Sequence, residues 1–281
     1  MPDFNMIKIE DPHKTIDSTK EAIPQTVSAI DQALSGIFNI IGYPTNYVGE
    51  YARYSIQKLH SKLTEKLSDL PPDKVVGPPV HIAAPILEKC RFTADCEELH
   101  NMFASLLATA MDYDMQSLAH PAFIQIIENL SPFEAKILTS EHFGTGYRPM
   151  VSLRIQKIHN SSGPYSFTKH KLGDDYRLSL EGIPIIEHMV SYESLSSLSI
   201  DNLVVSSSIT NNFHRLGLFD FPQGTHVSNV KPYEKITEAL KNYISERSKV
   251  EKLPPDKEYA IVPEAFILTE FGKQFITACV R

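Results

Sequence analysis

Residues 95–112 read DCEELHNMFASLLATAMD. Leu99, Met102, Phe103, Leu106, Leu107, Ala110 and Met111 recur at the three- and four-residue steps of a helix, and together they make one unbroken apolar stripe. Asp95 with Glu98 three residues later has the form of a capping box, which places the helix start at Asp95. A stripe of this length needs other helices to cover it, so the chain must build a helical core around this segment.

The flanking sequence supplies those helices. Val27, Ile30, Ala33, Leu34, Ile37, Ile40 and Ile41 predict a helix over 25–42, closed by Gly42 and Pro44. Val48, Tyr51, Ala52, Ser55, Ile56, Leu59 and Leu63 predict another over 46–68. The run LPPDKVVGPPV at 70–80 reads as a connector. Pro121 suits the first turn of a further helix, with His120 as its cap, and Ser131, Pro132 and Glu134 repeat the capping device.

After Gly144 the period changes. Val151, Leu153 and Ile155 alternate with polar residues and predict a strand, NSSGP at 160–164 a turn, and 165–171 and 176–180 returning strands. Helical pattern resumes over 202–216 and 233–247. Gly217 suits a left-handed helix end leading into Leu218 and Phe219. Ala265–Leu268 reads as a strand, Thr269 as the cap of a closing helix, and Gly272 as a point of close packing. The expected fold is α+β, mainly α. A loosely ordered lead-in covers 1–24, a helical domain 25–130, and a winged-helix-like domain 131–281 with a β insertion at about 146–190.

Composition narrows the function. The 281 residues carry a net charge of −7, and residues 71–130 hold eight acids against three bases. That balance argues against a general nucleic-acid binder. Three scattered cysteines make no disulfide framework and fit a reducing cytoplasm. The N-terminus lacks the apolar run of a signal peptide, and the most apolar stretch, SGIFNIIGY at 35–43, is about half a membrane span.

The stretches EELHNMFASLLATAMD, HPAFIQIIENLSPFEAKIL, FHRLGLF and LTEFGKQFITAC, in that order, resemble the abortive-infection alpha (Abi-alpha) family of bacterial proteins. The resemblance covers about 80–142 and 201–281 well and the first 70 residues loosely; it leaves 146–190 unplaced. It implies a role in defence against bacteriophage and brings no catalytic residues with it.

Each chemistry-bearing residue also has a packing role open to it. Arg53 and His60 have a spacing similar to the Arg-x4–6-His of HEPN ribonucleases, and they also share a helix face simply because seven residues make two turns. Cys96 and His100, with His81 and Cys90 upstream, have metal-like spacing, but a structural zinc wants four convergent ligands. Neither a metal nor a cofactor is expected. Asp112 and Asp114 read as a solvated helix end. A winged-helix DNA reader would use Asn202, Ser206, Thr210, Asn211 and Arg215, with Lys231, Lys235 or Lys241 as a basic rim. That helix has too few cations to hold duplex DNA. The leading expectation is an interaction protein, with a second copy of the chain or a phage or host protein as partner. Tyr43, Tyr47, Tyr51 and Tyr54 form one candidate contact surface, with a dimer as the expected assembly, and the 150–171 hairpin forms the other.

Overall fold

The computed structural model describes residues 24–41, 49–158, 182–195, 197–229 and 231–280. They fall into two compact units, 1–139 with 274–281, and 140–273.

The first unit is helical. In chain order it contains α1 (Pro24–Ile41), α2 (Glu50–Lys66), α3 (Val80–Cys90), α4 (Glu97–Met111), α5 (Ala122–Glu128) and α6 (Pro132–Ser140). The apolar stripe lies on α4, as its spacing predicts, yet every residue from Met102 to Met111 is buried, not one face alone. The sides away from the stripe are lined by Ala104, Ser105, Ala108 and Thr109, which are small enough for backbone to approach on every side. Thr109 Oγ1 donates to the Ala278 carbonyl at 3.0 Å, and Phe275 meets Phe123 edge-on at 5.3 Å. Residues after 273 thus complete this core.

Helix starts here show which local signals hold. Ser131 and Glu134 form the expected reciprocal box: the Ser131 amide donates to Glu134 Oε2 at 2.7 Å and the Glu134 amide to Ser131 Oγ at 3.2 Å. The Ala122 amide donates to His120 Nδ1 at 3.1 Å, so His120 caps α5. The box at Asp95 does not form. Cys96 occupies the N-cap position of α4 with no side-chain cap bond, because the Asp95 carboxylate is taken by Tyr51 Oη at 2.6 Å. Helix α3 lies in a stretch for which the sequence predicts no element; Pro85 sits inside it, while Ile82, Ala83, Ile86, Leu87 and Cys90 are buried.

The second unit is built on a four-stranded sheet in the order β2-β1-β4-β3, antiparallel throughout. The strands are β1 (Arg148–Lys157), β2 (Ile183–Met189), β3 (Phe219–Asp220) and β4 (Lys257–Leu268). Helix α7 (Ile200–Arg215) lies between β2 and β3 in sequence, α8 (Lys231–Val250) between β3 and β4, and α9 (Glu270–Cys279) begins after β4. The β1–β4 ladder runs for ten register positions, from Arg148 opposite Phe266 to Lys157 opposite Lys257. The expected strand at 265–268 is therefore the end of a longer one. The returning strands expected at 165–171 and 176–180 lie outside the described residues. On one side of the sheet Val151, Leu153, Met189 and Tyr259 pack with Leu203 of α7 and with Tyr233, Ile236, Leu240 and Ile244 of α8.

The architecture is α+β, mainly helical. The joint between α7 and α9 follows the sequence reading closely. Gly217 has φ +75°, the left-handed region. Leu218 leads into β3, and Phe219 pairs with Leu268 of β4. Thr269 Oγ1 accepts the Gly272 amide at 2.7 Å and donates to the Gly217 carbonyl at 2.6 Å. A Gly217→Ala variant is expected to lose about 1 kcal/mol, the penalty of a Cβ in that conformation. A urea midpoint unchanged from the parent protein would contradict this.

Candidate functional site

Helix α2 carries two polar seams. On one flank Tyr51, Ser55, Lys58 and Lys62 recur at helical spacing and face the 90–97 segment and α4. Ser55 Oγ donates to the Cys90 carbonyl, and Lys58 Nζ to the Ala94 carbonyl at 2.8 Å. Lys58 also meets Glu97 Oε2 at 2.5 Å, while Lys62 reaches Glu97 Oε1 and Asn101 Oδ1. Tyr51 Oη donates to Asp95 Oδ1 and accepts the Asp95 amide at 3.2 Å. Hydrogen bonds from Lys58 and Lys62 hold the Glu97 carboxyl at a pKa of about 2, and the Tyr51 hydroxyl lowers that of Asp95.

His100 closes the seam from inside. The residue is fully buried, its Nδ1 lies 3.2 Å from Thr93 Oγ1, and its Nε2 has no hydrogen-bond partner among the described residues. Burial, reinforced by the nearby Lys58 and Lys62 charges, lowers its pKa to about 4. Three aromatic residues of α2 and the 90–97 segment are exposed: Tyr51 at 45%, Tyr54 at 47% and Phe92 at 69%. Tyr47 of the expected aromatic surface lies outside the described residues.

On the other flank Arg53 is exposed and His60 is half-buried. His60 Nε2 donates to Asp31 Oδ1 of α1 at 3.0 Å, which fixes the ring with Nδ1 on the side away from that carboxylate. Asp31 is the partner that sequence reading missed, since 29 residues separate it from His60.

Cys96 and His100 do not converge on a common ligand position, since the His100 ring turns inward onto Thr93 while Cys96 sits at the helix start. Cys90 is buried, which pushes its thiol pKa up, and His81 is exposed. No group of three or more metal-ligating side chains occurs among the described residues. Asp112 Oδ1 accepts the Asp114 amide at 2.9 Å and Asp114 pairs with Lys74, so this acid pair shapes its own turn.

In the second unit the residues assigned to DNA reading are spent internally. Ser206 and Thr210 are fully buried. Ser206 Oγ accepts the Val190 amide and donates to the Leu203 carbonyl, and Thr210 Oγ1 bonds Tyr192 Oη at 2.8 Å. Neither hydroxyl is presented to a groove, which corrects their place in the expected reading surface. Asn202 donates to the Ser197 carbonyl, Asn211 Oδ1 accepts from His188 Nδ1 at 2.7 Å, and Arg215 binds Asn212 Oδ1. Lys231, Lys235 and Lys241 are exposed on α8.

One polar cluster on the sheet had no signal in the sequence, because it joins three distant strands. Arg154 Nη2 lies 2.8 Å from Glu187 and 3.8 Å from Glu264. Ser152 Oγ donates to Glu264 and accepts the His188 amide. His188 has φ +57° at an irregularity in the β1–β2 register, and its ring lies 4.4 Å from Phe221, whose own ring stacks on His214 at 4.1 Å. Because the Ser152 hydroxyl turns to Glu264 and not to the imidazole, these residues form no nucleophile–base pair.

The sequence model of a family described as abortive infection alpha matches residues 52–279. The chain belongs to the abortive infection alpha family. The bounds of the match enclose residues 146–190, which the resemblance in the sequence left unplaced. No curated protein and no solved structure matches. Membership in abortive infection alpha gives the chain an abortive-infection-related role. No helix among the described residues is long and apolar enough to cross a membrane.

Proposed function

We propose that the protein defends the cell against phage through binding and not catalysis, acting in the cytoplasm as a two-fold self-assembly. The observation that carries this is the exposure of three large aromatic residues, Tyr51, Tyr54 and Phe92, with the Tyr51 hydroxyl fixed on Asp95. Large aromatic area on a rigid base is what interface hot spots are made of, and two-fold closure is the commonest symmetry. Tyr51→Ser combined with Phe92→Ser is expected to shift the protein from dimer to monomer in light scattering and to raise plaque counts in a plating assay. A parent protein that scatters as a 31.6 kDa monomer at tens of micromolar would remove the assembly from this reading.

In the second unit, left-handed Gly217, the β3–β4 pairing and the Thr269 cap support a winged-helix-like reading of the α7–α9 portion. Duplex DNA has no part in it, given the internal use of Ser206 and Thr210.

A second reading draws on the Asp31–His60 pair. A carboxylate that fixes one imidazole nitrogen leaves the other as a base, and Arg53 lies two helical turns away on the same helix. In that reading the protein is a HEPN-like ribonuclease. Its test is RNA cleavage in cells: loss of both cleavage and toxicity in His60→Ala and in Asp31→Asn would favour it over the binding reading.

A further inference from the structure

We propose that the seam between α2 and the start of α4 is a binding site for a phosphoryl group, in which Glu97 now stands in for the ligand. The proposal is independent of the self-assembly reading. Its first support is convergence. Lys58 and Lys62 come from one helix face and close on the same carboxylate, with stems mostly covered, at 23% and 15% side-chain exposure. Two ammonium groups fixed in this way are the frame that binds a phosphate dianion.

The second support is the helix start. Helix α4 has 15 residues, and its N-cap residue Cys96 gives no side-chain hydrogen bond, so the first-turn amides have no cap. Such amides and the helix dipole favour an anion at this position.

The third support is His100, and it points to a ligand independently of the helix end. Its Nε2 is buried with no partner among the described residues, the Lys58 and Lys62 charges act on the ring, and burying an unbonded polar group is costly. Thr93 Oγ1 lies 3.2 Å from His100 Nδ1. In the tautomer in which the Thr93 hydroxyl donates to Nδ1, the ring proton sits on Nε2, a donor without an acceptor. Its low pKa keeps the ring neutral at pH 7, so it adds a hydrogen bond without a third charge.

Glu97 fits the part of stand-in. Its side chain is 53% exposed and belongs to the first turn of α4, so a rotamer change carries it into solvent and frees both lysines. The neighbouring carboxylate, Asp95, is held away by Tyr51.

The test uses the full chain and inorganic phosphate. In Glu97→Gln, calorimetric titration is expected to show phosphate binding about tenfold tighter than in the parent, the worth of one charge-assisted hydrogen bond. Adding Lys58→Met or Lys62→Met should abolish it. In the unmodified chain, the His100 Nε2 resonance should move with phosphate and not with chloride at equal ionic strength, a readout that needs no variant to fold. Adenosine 5′-monophosphate is the second probe. Tighter binding than phosphate assigns the group to a nucleotide, equal binding to free phosphate, and equal binding of adenosine itself would overturn the site. No phosphate-specific response in either Glu97→Gln or the parent would overturn it too.

Discussion

Gly272→Ala is expected to destabilise the protein by about 3 kcal/mol, the upper range for forcing an atom into a packed interior. A Cβ at Gly272 would lie 2.2 Å from the Leu218 carbonyl oxygen and 3.1 Å from its Cα. Those atoms are backbone. Leu218 is pinned by its pairing neighbour Phe219 and by the Thr269 amide, which donates to its carbonyl at 3.0 Å. Relief therefore means moving α9 away from β3, which breaks the Thr269 cap as well. Gly144 and Gly146 provide the control, since an added Cβ at either meets nothing within 4 Å. Chemical denaturation should show Gly144→Ala within a few tenths of a kcal/mol of the parent. A Gly272→Ala midpoint equal to that of Gly144→Ala would refute the packing account.

The second large effect is in acid. His100 has an ordinary pKa of 6.5 and about 4 in the folded protein, so the unfolded chain binds the proton more readily. Stability from this group is complete above pH 6.5, declines as the pH falls towards 4, and by pH 4 has dropped by about 3 kcal/mol. His100→Leu, of similar volume and without the titrating ring, should flatten the stability profile between pH 6.5 and 4. Glu97 acts lower down: its pKa falls from 4.5 to about 2, so its contribution is lost between those values. Being half exposed, it contributes less than its shift implies, because solvent screens it. Parallel acid curves for His100→Leu and parent, measured as urea midpoints from pH 7 to pH 4, would show that some other group sets the acid limit.

The residues that sequence reading placed well are those whose causes are local. Ser131 and Glu134 need only each other, Gly217 needs only its own φ, and Thr269 caps an amide three residues on. Asp95 shows the opposite case: its local pattern matches that of Ser131, but Tyr51, 44 residues earlier, outcompetes the helix for its carboxylate. The same holds for Ser206 and Thr210. A hydroxyl on a helix reads as polar surface until Val190 and Tyr192 arrive from the segment that follows β2. Strand β4 hid its first half because Pro263 and Glu264 break the apolar alternation where β1 pairs with it, while β3 reaches only Ile267 and Leu268. The pairs His60–Asp31 and Arg154–Glu187 have no sequence signature, since tertiary packing alone brings them together.

The first unit is made of two stretches separated by the whole of the second. A ribosome delivers α1 to α6 early, then all of residues 140–273, and only then the segment bearing Phe275 and Ala278. Until that segment appears, Thr109 lacks its acceptor and Phe123 its edge-on partner. The second unit has its full sequence sooner, although it starts later, and domains generally fold as they become complete. The first unit's core is complete only once residues 274–279 are seated, and a nascent chain arrested before residue 274 holds α4 with one side of its surroundings still missing.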